Sequence, residues 1–115
     1  MRAFVVSALE ARGFEVSTAK SGFEALKVLP KERFQLIITD VNMPDINGLE
    51  LVRYIRDSPS QRECPLILIS TDGRERDRER GMKLGATAYL VKPFSPEDLL
   101  GAIDRCLGRS AEESD

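Results

Sequence analysis

A chain of 115 residues is long enough for one domain with one core and too short for two ordinary ones. Its hydrophobic share of 42%, charged share of 31% and net charge of −2 suit a globular protein in water and argue against a nucleic-acid or membrane surface as its main partner. No apolar run approaches the roughly 18 residues of a membrane span and no signal-peptide pattern opens the chain, so a cytoplasmic location is expected.

Taken in chain order, the pattern alternates between helical and strand periods. Phe4, Val5, Ala8 and Leu9 share a helical face, with Gly13 placed to stop that helix. Phe14–Thr18 has room only for a short strand. Gly22, Ala25, Leu26 and Leu29 form a second helical stripe ended by Pro30. Leu36–Thr39 is a solid apolar run, too short for a helix and typical of a strand covered on both faces. Leu49, Val52 and Ile55 return to helical spacing. Pro65 introduces another buried strand, Leu66–Ile69. Arg74–Leu84 is compatible with a helix but is almost all charge, which reads as a solvated face whose mixed signs disfavour nucleic acid. Ala88–Val91 predicts a last strand. Ser95 is then an N-cap, with Pro96 at the first helical position and Glu97 and Asp98 in the first turn. That helix should bury Leu99, Ile103, Cys106 and Leu107. The polar stretch Gly108–Asp115 is expected to fray, which sets the domain at residues 1–108 with residues 109–115 as a flexible acidic tail.

The order α-β-α-β-α-β-α-β-α predicts an α/β fold, a doubly wound parallel sheet with helices on both faces. It begins, unusually, on a helix. Cys64 and Cys106 match no metal spacing and come without any histidine, so they read as small buried residues in a reducing compartment.

In such sheets ligands bind beyond the carboxyl ends of the strands. There the sequence places Asp40 after the first solid run, Ser70 and Thr71 after the second, and Lys92-Pro93 after the last strand. Each has a plain structural reading as turn residue, helix cap or solvated lysine. An acid, a hydroxyl and a lysine at three consecutive strand ends instead suit phosphoryl transfer to a carboxylate. An aspartate is a competent nucleophile towards phosphorus, and such catalysis is mostly positioning and electrostatics. Lys92 would supply positive charge and Ser70 a hydrogen bond. Mg²⁺, which prefers carboxylates, carbonyls and water, would find Asp40 and the backbone carbonyl of Asn42.

These residues carry a resemblance. Leu36-IITDVNMP-Asp45 with Asn47-Gly48, then PLILIST (Pro65–Thr71), GATAYLVKPF (Gly85–Phe94) and GFEAL (Gly22–Leu26) resemble, in order, the receiver domain of two-component response regulators, most of all single-domain CheY-like members. Thirty residues separate Asp40 from Ser70 and twenty-two separate Ser70 from Lys92, both usual for that family. The resemblance implies a flavodoxin-like (CheY-like) fold, for which CheY is a standard example. It also implies a phosphoacceptor at Asp40 served by a sensor histidine kinase, with Asn42 giving a carbonyl to the metal. Ser70 and Tyr89 would be the switch pair, Lys92 the partner of the phosphoryl group, and Lys92-Pro93 a cis peptide. A downstream effector protein would bind around Arg74–Leu84, Tyr89 and Ser95–Leu107. On this reading the chain is a signalling domain and no enzyme beyond phosphorylating its own Asp40.

One departure stands out. Receivers of this family begin with a strand and an acidic pair that shares the metal with the phosphoacceptor, and neither is found here. Metal affinity and phosphotransfer are therefore expected to be weakened or lost. Three explanations stay open: Met1 is internal to a longer natural protein, the chain completes its sheet by strand exchange or a rearranged dimer, or it folds as a four-stranded monomer. A phosphorylation-independent pseudo-receiver that only binds proteins is the rival function. A phosphatase of the haloacid-dehalogenase kind is disfavoured, because Asn42 stands where that class needs a second aspartate as general acid. Nucleotide binding is disfavoured because neither G-x-G-x-x-G nor a P-loop occurs.

Overall fold

The computed structural model describes residues 2–43, 45–71 and 75–108. The elements are α1 (Arg2–Ala11), α2 (Gly22–Val28) continued by a 3₁₀ turn (Leu29–Lys31), β1 (Ile37–Asp40), α3 (Gly48–Asp57), β2 (Leu66–Ser70), α4 (Glu75–Leu84), β3 (Ala88–Val91) and α5 (Pro96–Cys106). The three strands form one parallel sheet in the order β1-β2-β3. Among the described residues no helix is long and apolar enough to cross a membrane.

The central strand β2 is buried at all five positions, as its unbroken apolar sequence demands. Its alternate side chains feed two cores. Leu66 and Leu68 join Leu49, Leu51, Val52 and Ile55 of α3. Ile67 and Ile69 join Val5 and Leu9 of α1 and Leu99, Ala102 and Ile103 of α5. The sheet is therefore covered on both faces, and the doubly wound expectation holds.

Helix boundaries follow local chemistry. Gly13, at φ 87°, ends α1. The Gly13 N–H donates to Glu10 C=O at 3.0 Å and the Phe14 N–H to Leu9 C=O at 3.2 Å, which is a Schellman closure. Gly85, at φ 118°, ends α4 in the same way, with its N–H on Met82 and that of Ala86 on Gly81. Asn47 caps α3 by accepting the Leu49 N–H at 2.7 Å. Ser95 and Asp98 form a reciprocal capping box on α5, with Pro96 at the first helical position as its sequence announces.

The expected strand Phe14–Thr18 is the main correction: residues 14–19 belong to no strand. A strand exists through its pairing with another strand, and none of the strands among the described residues pairs with this segment. Its alternation survives all the same. Phe14 and Val16 are half-buried and pack against the core shared by α1 and α5, while Glu15 and Ser17 are exposed. Two smaller differences follow from local sterics. Pro30 sits within the 3₁₀ turn that extends α2, and the half-buried Cys106 and Leu107 lie at the rim of the core that Leu99 and Ile103 fill. Cys64 is buried and its thiol donates to Phe34 C=O at 3.1 Å. The expected tail of residues 109–115, together with Met1 and Arg74, lies outside the described residues.

Candidate functional site

The sheet gathers the candidate residues by register. Asp40 stands beside Ile69, and Ser70 beside Val91, so all three strands finish at one edge with Asp40, Ser70 and Lys92 last or just beyond. Side chains alternate between faces along each strand. Asp40 follows Ile38, and Lys92 follows Leu90, and both of those isoleucine and leucine side chains lie on the α1/α5 side. Ser70 follows Leu68 on the α3/α4 side, where half-buried Tyr89 also packs. The spacing in the sequence thus puts the acid and the lysine on one side and the two expected switch residues on the other.

Lys92 Nζ donates to Asp40 Oδ2 at 2.7 Å. The pair spans the central strand, with the lysine side chain 22% and the aspartate side chain 31% exposed. The Lys92 N–H donates to Ser70 C=O at 2.8 Å, and the Lys92-Pro93 peptide is cis, as expected. The other carboxylate oxygen, Asp40 Oδ1, is buried and has no hydrogen-bond partner among the described residues. A buried acceptor without a donor is costly, and an anionic one invites a cation or an incoming donor group. Ser70 is 2% exposed and Thr71 is exposed at the surface.

The loop after Asp40 is fastened at two points. The Gly48 N–H donates to Val41 C=O at 2.9 Å and closes its neck. A side chain at Gly48 would collide with the Asp40 carbonyl oxygen and stand 2.7 Å from Val41 Cα, so only glycine allows α3 to start this close to the end of β1. The second fastening is Asp45, whose carboxylate accepts the Gly22 N–H at 3.1 Å and the Phe23 N–H at 2.9 Å at the start of α2. The Phe23 amide above all, acting against a smaller desolvation effect, holds the Asp45 carboxyl below its ordinary range. Between these points Val41, Asn42, Met43, Asp45, Ile46 and Asn47 line a cleft of about 420 Å³. Asp45 was singled out in the sequence only as part of a motif. Its partners lie 22 and 23 residues away, so no local pattern announces the contact.

For a metal, the donor set is small. Asp40 Oδ1 is a free anionic oxygen and Asn42 follows two residues later, but among the described residues no group of three or more His, Cys, Asp or Glu is placed to hold an ion. These residues supply part of a hard-cation site, with water or a ligand's oxygens needed for the rest.

Comparison with known proteins agrees with this architecture. The family model for the response regulator receiver domain matches residues 1–104. The chain is 39% identical over 105 residues to the phosphate regulon transcriptional regulatory protein PhoB of Rhizobium meliloti, covering 91% of this chain and 46% of that protein. It is 36% identical over 115 residues to a chemotaxis protein CheY homolog of Campylobacter jejuni, covering 98% of this chain and 88% of the homolog. The solved chemotaxis response regulator CheY4 of Vibrio cholerae superposes with a TM-score of 0.86 at 40% identity, over 92% of this chain and 88% of that one. The chain spans about half the length of the transcriptional regulators it matches and most of the length of the CheY homologs. With a parallel doubly wound sheet, an acid, a hydroxyl and a lysine at its carboxyl edge, and a family match over nearly its whole length, the chain belongs to the response regulator receiver domain family.

Proposed function

We propose that residues 1–108 form a receiver that accepts a phosphoryl group on Asp40 from the phosphohistidine of a sensor histidine kinase and signals in trans to a downstream effector protein in the cytoplasm. The observation that carries this reading is the 2.7 Å Lys92–Asp40 ion pair at the sheet's carboxyl edge, with Asp40 Oδ1 buried and without a donor among the described residues.

In the transfer, an Asp40 oxygen attacks phosphorus and forms the P–O bond of an acyl phosphate. The bond from phosphorus to the donor nitrogen breaks, and its electron pair stays on the imidazole, which takes up a proton. Lys92 neutralises charge on the phosphoryl oxygens as it spreads in the transition state. Ser70 then donates its hydroxyl to one of those oxygens and, together with Tyr89, changes the face that the effector reads. Mg²⁺, which receivers generally bind, would be held by Asp40 and the Asn42 carbonyl, and when bound it offsets charge on the phosphoryl oxygens. The chain performs this one transfer onto itself and turns over no external substrate.

The test is labelling with acetyl phosphate and Mg²⁺, read by intact-protein mass spectrometry. A phosphoryl adduct on the wild type that is lost in Asp40→Ala is expected, and an unlabelled wild type would count against the reading. A second reading, the phosphorylation-independent pseudo-receiver, is favoured by the lack of a three-ligand acidic cluster among the described residues. It predicts that Asp40→Ala leaves effector binding intact. A homodimer formed by strand exchange would complete the sheet beside β1, which has a neighbour on one side only among the described residues.

A further inference from the structure

The loop from Val41 to Asn47 follows the proposed phosphoacceptor and carries the proposed metal-facing carbonyl, and none of its described residues belongs to a strand or a helix. Its neck is closed by Gly48 N–H on Val41 C=O, 2.9 Å. Its far end is held by a carboxylate bound to another part of the fold: Asp45 Oδ1 accepts the Gly22 N–H at 3.1 Å and Oδ2 the Phe23 N–H at 2.9 Å. The contact is close-packed as well as polar. Gly22 is buried, and a Cβ there would collide with Ile46 Cγ2, so the start of α2 and residues 45–46 are pressed together with no room for a side chain. Helix α2 has a separate cap of its own, because Ser21 Oγ accepts the Glu24 N–H at 3.2 Å and Glu24 Oε1 accepts the Lys20 N–H at 3.1 Å. The Asp45 bonds are therefore not needed to start the helix. They tie the loop to it.

We infer that Asp45 is a positioning residue: by clamping residues 45–46 to the first turn of α2 it fixes the loop, and so the Asn42 carbonyl, beside Asp40. The inference rests on the proposed phosphorylation of Asp40. The mechanical logic is that a loop held only at its neck pivots there, whereas a second attachment on a packed helix removes that freedom. An error on the order of 1 Å in a reacting group lowers rates by as much as about a hundredfold. Asp45 spends its two carboxylate oxygens on the Gly22 and Phe23 amides and acts through the loop, not on the phosphoryl group.

The experiment compares the wild type with Asp45→Ala, Asp45→Asn and Glu24→Ala. The first two remove both or one of the clamp's acceptors, and the third loosens the same helix end without touching Asp45. Two readouts are taken: the amide resonances and exchange rates of Gly22, Phe23 and Met43, and the initial rate of labelling by acetyl phosphate with Mg²⁺. The Met43 N–H shares its peptide plane with the Asn42 carbonyl and so reports its orientation. In Asp45→Ala the Gly22 and Phe23 amides are expected to exchange faster, the Met43 resonance to move, and the labelling rate to fall about tenfold. Asp45→Asn should lie between, and it carries the test if the alanine variant does not fold. Glu24→Ala should leave Met43 and the labelling rate unchanged. A Met43 resonance fixed at its wild-type position in both Asp45 variants, or a labelling rate unchanged while it moves, overturns the inference. A wild type that takes no label sinks the phosphorylation reading instead, and the Met43 resonance alone then decides whether the clamp holds the loop.

Discussion

At Asp40 a single side chain has two unlike oxygens, one bound to Lys92 and one buried without a donor among the described residues. The ion pair is partly exposed, and pairs of that kind contribute little to stability. Lys92→Ala is therefore expected to change unfolding free energy by about 0–1 kcal/mol in a urea titration while sharply slowing acetyl-phosphate labelling. A large stability loss would mark the lysine as structural. Asp45 gives a prediction with a definite sign. Its carboxyl lies below the ordinary range because the bound amides favour the charged form. The stability it contributes is thus present above its unfolded-state pKa and is lost as pH falls through its lower folded-state pKa. The Gly22 and Phe23 amide shifts should follow that acid titration, and an inflection in the ordinary carboxylate range would contradict the clamp. At Cys64, burial pushes the thiol up, with nearby Arg56 opposing it. Since the thiolate is the reactive form, alkylation mapped by mass spectrometry should find Cys64 modified only slowly at neutral pH.

Among the elements, what the sequence made legible was whatever depends on near neighbours. Solid apolar runs marked β1 and β2, Ser95-Pro96 with Asp98 marked the start of α5, and Gly13 marked the end of α1. Asp40, Ser70 and Lys92 could be placed together because each ends a strand, and a strand end is a local signal. Contacts that depend on distant partners stayed hidden. Phe14–Thr18 has a strand's alternation, but pairing is a property of two segments, and its own pattern could not reveal that no neighbour is described. Arg56 is the clearest case. In the sequence it is one more charge on a helix, yet its Nε donates to Gly85 C=O at 2.8 Å and its Nη1 to Arg62 C=O at 2.9 Å and Cys64 C=O at 2.7 Å. It joins the end of α4 to the connection between α3 and β2. Bonds to a charged donor are worth about 1.5–3 kcal/mol, so Arg56→Ala should lower unfolding free energy by about that amount in chemical denaturation. Arg56→Lys should restore little, because an ammonium lacks the guanidinium's planar array of donors.

For the molecule as a whole, the outer edge of β1 governs how the sheet can grow. The Ile37 N–H donates to Pro65 C=O and the Val41 N–H to Ile69 C=O, so in a parallel ladder the odd-numbered residues of β1 face β2. Ile38 and Asp40 must then turn their backbone N–H groups outward, where no strand lies among the described residues. Leu36, Ile37 and Ile38 carry no charge, bulge or proline to deter pairing at that edge, and Asp40, the proposed phosphoacceptor, sits at its end. An edge of this kind is a template for another strand, whether from elsewhere in a longer chain or from a second copy. Amide exchange at several protein concentrations separates these cases. If the edge is open in the monomer, Ile38 and Asp40 exchange much faster than Ile37 and Val41 in dilute solution. Protection at Ile38 and Asp40 that grows with concentration, in step with a rising mass in light scattering, would mark pairing between copies. Slow exchange at both residues in a dilute, strictly monomeric sample would show the edge already covered from within the chain, and the strand-exchanged dimer would lose its physical motive.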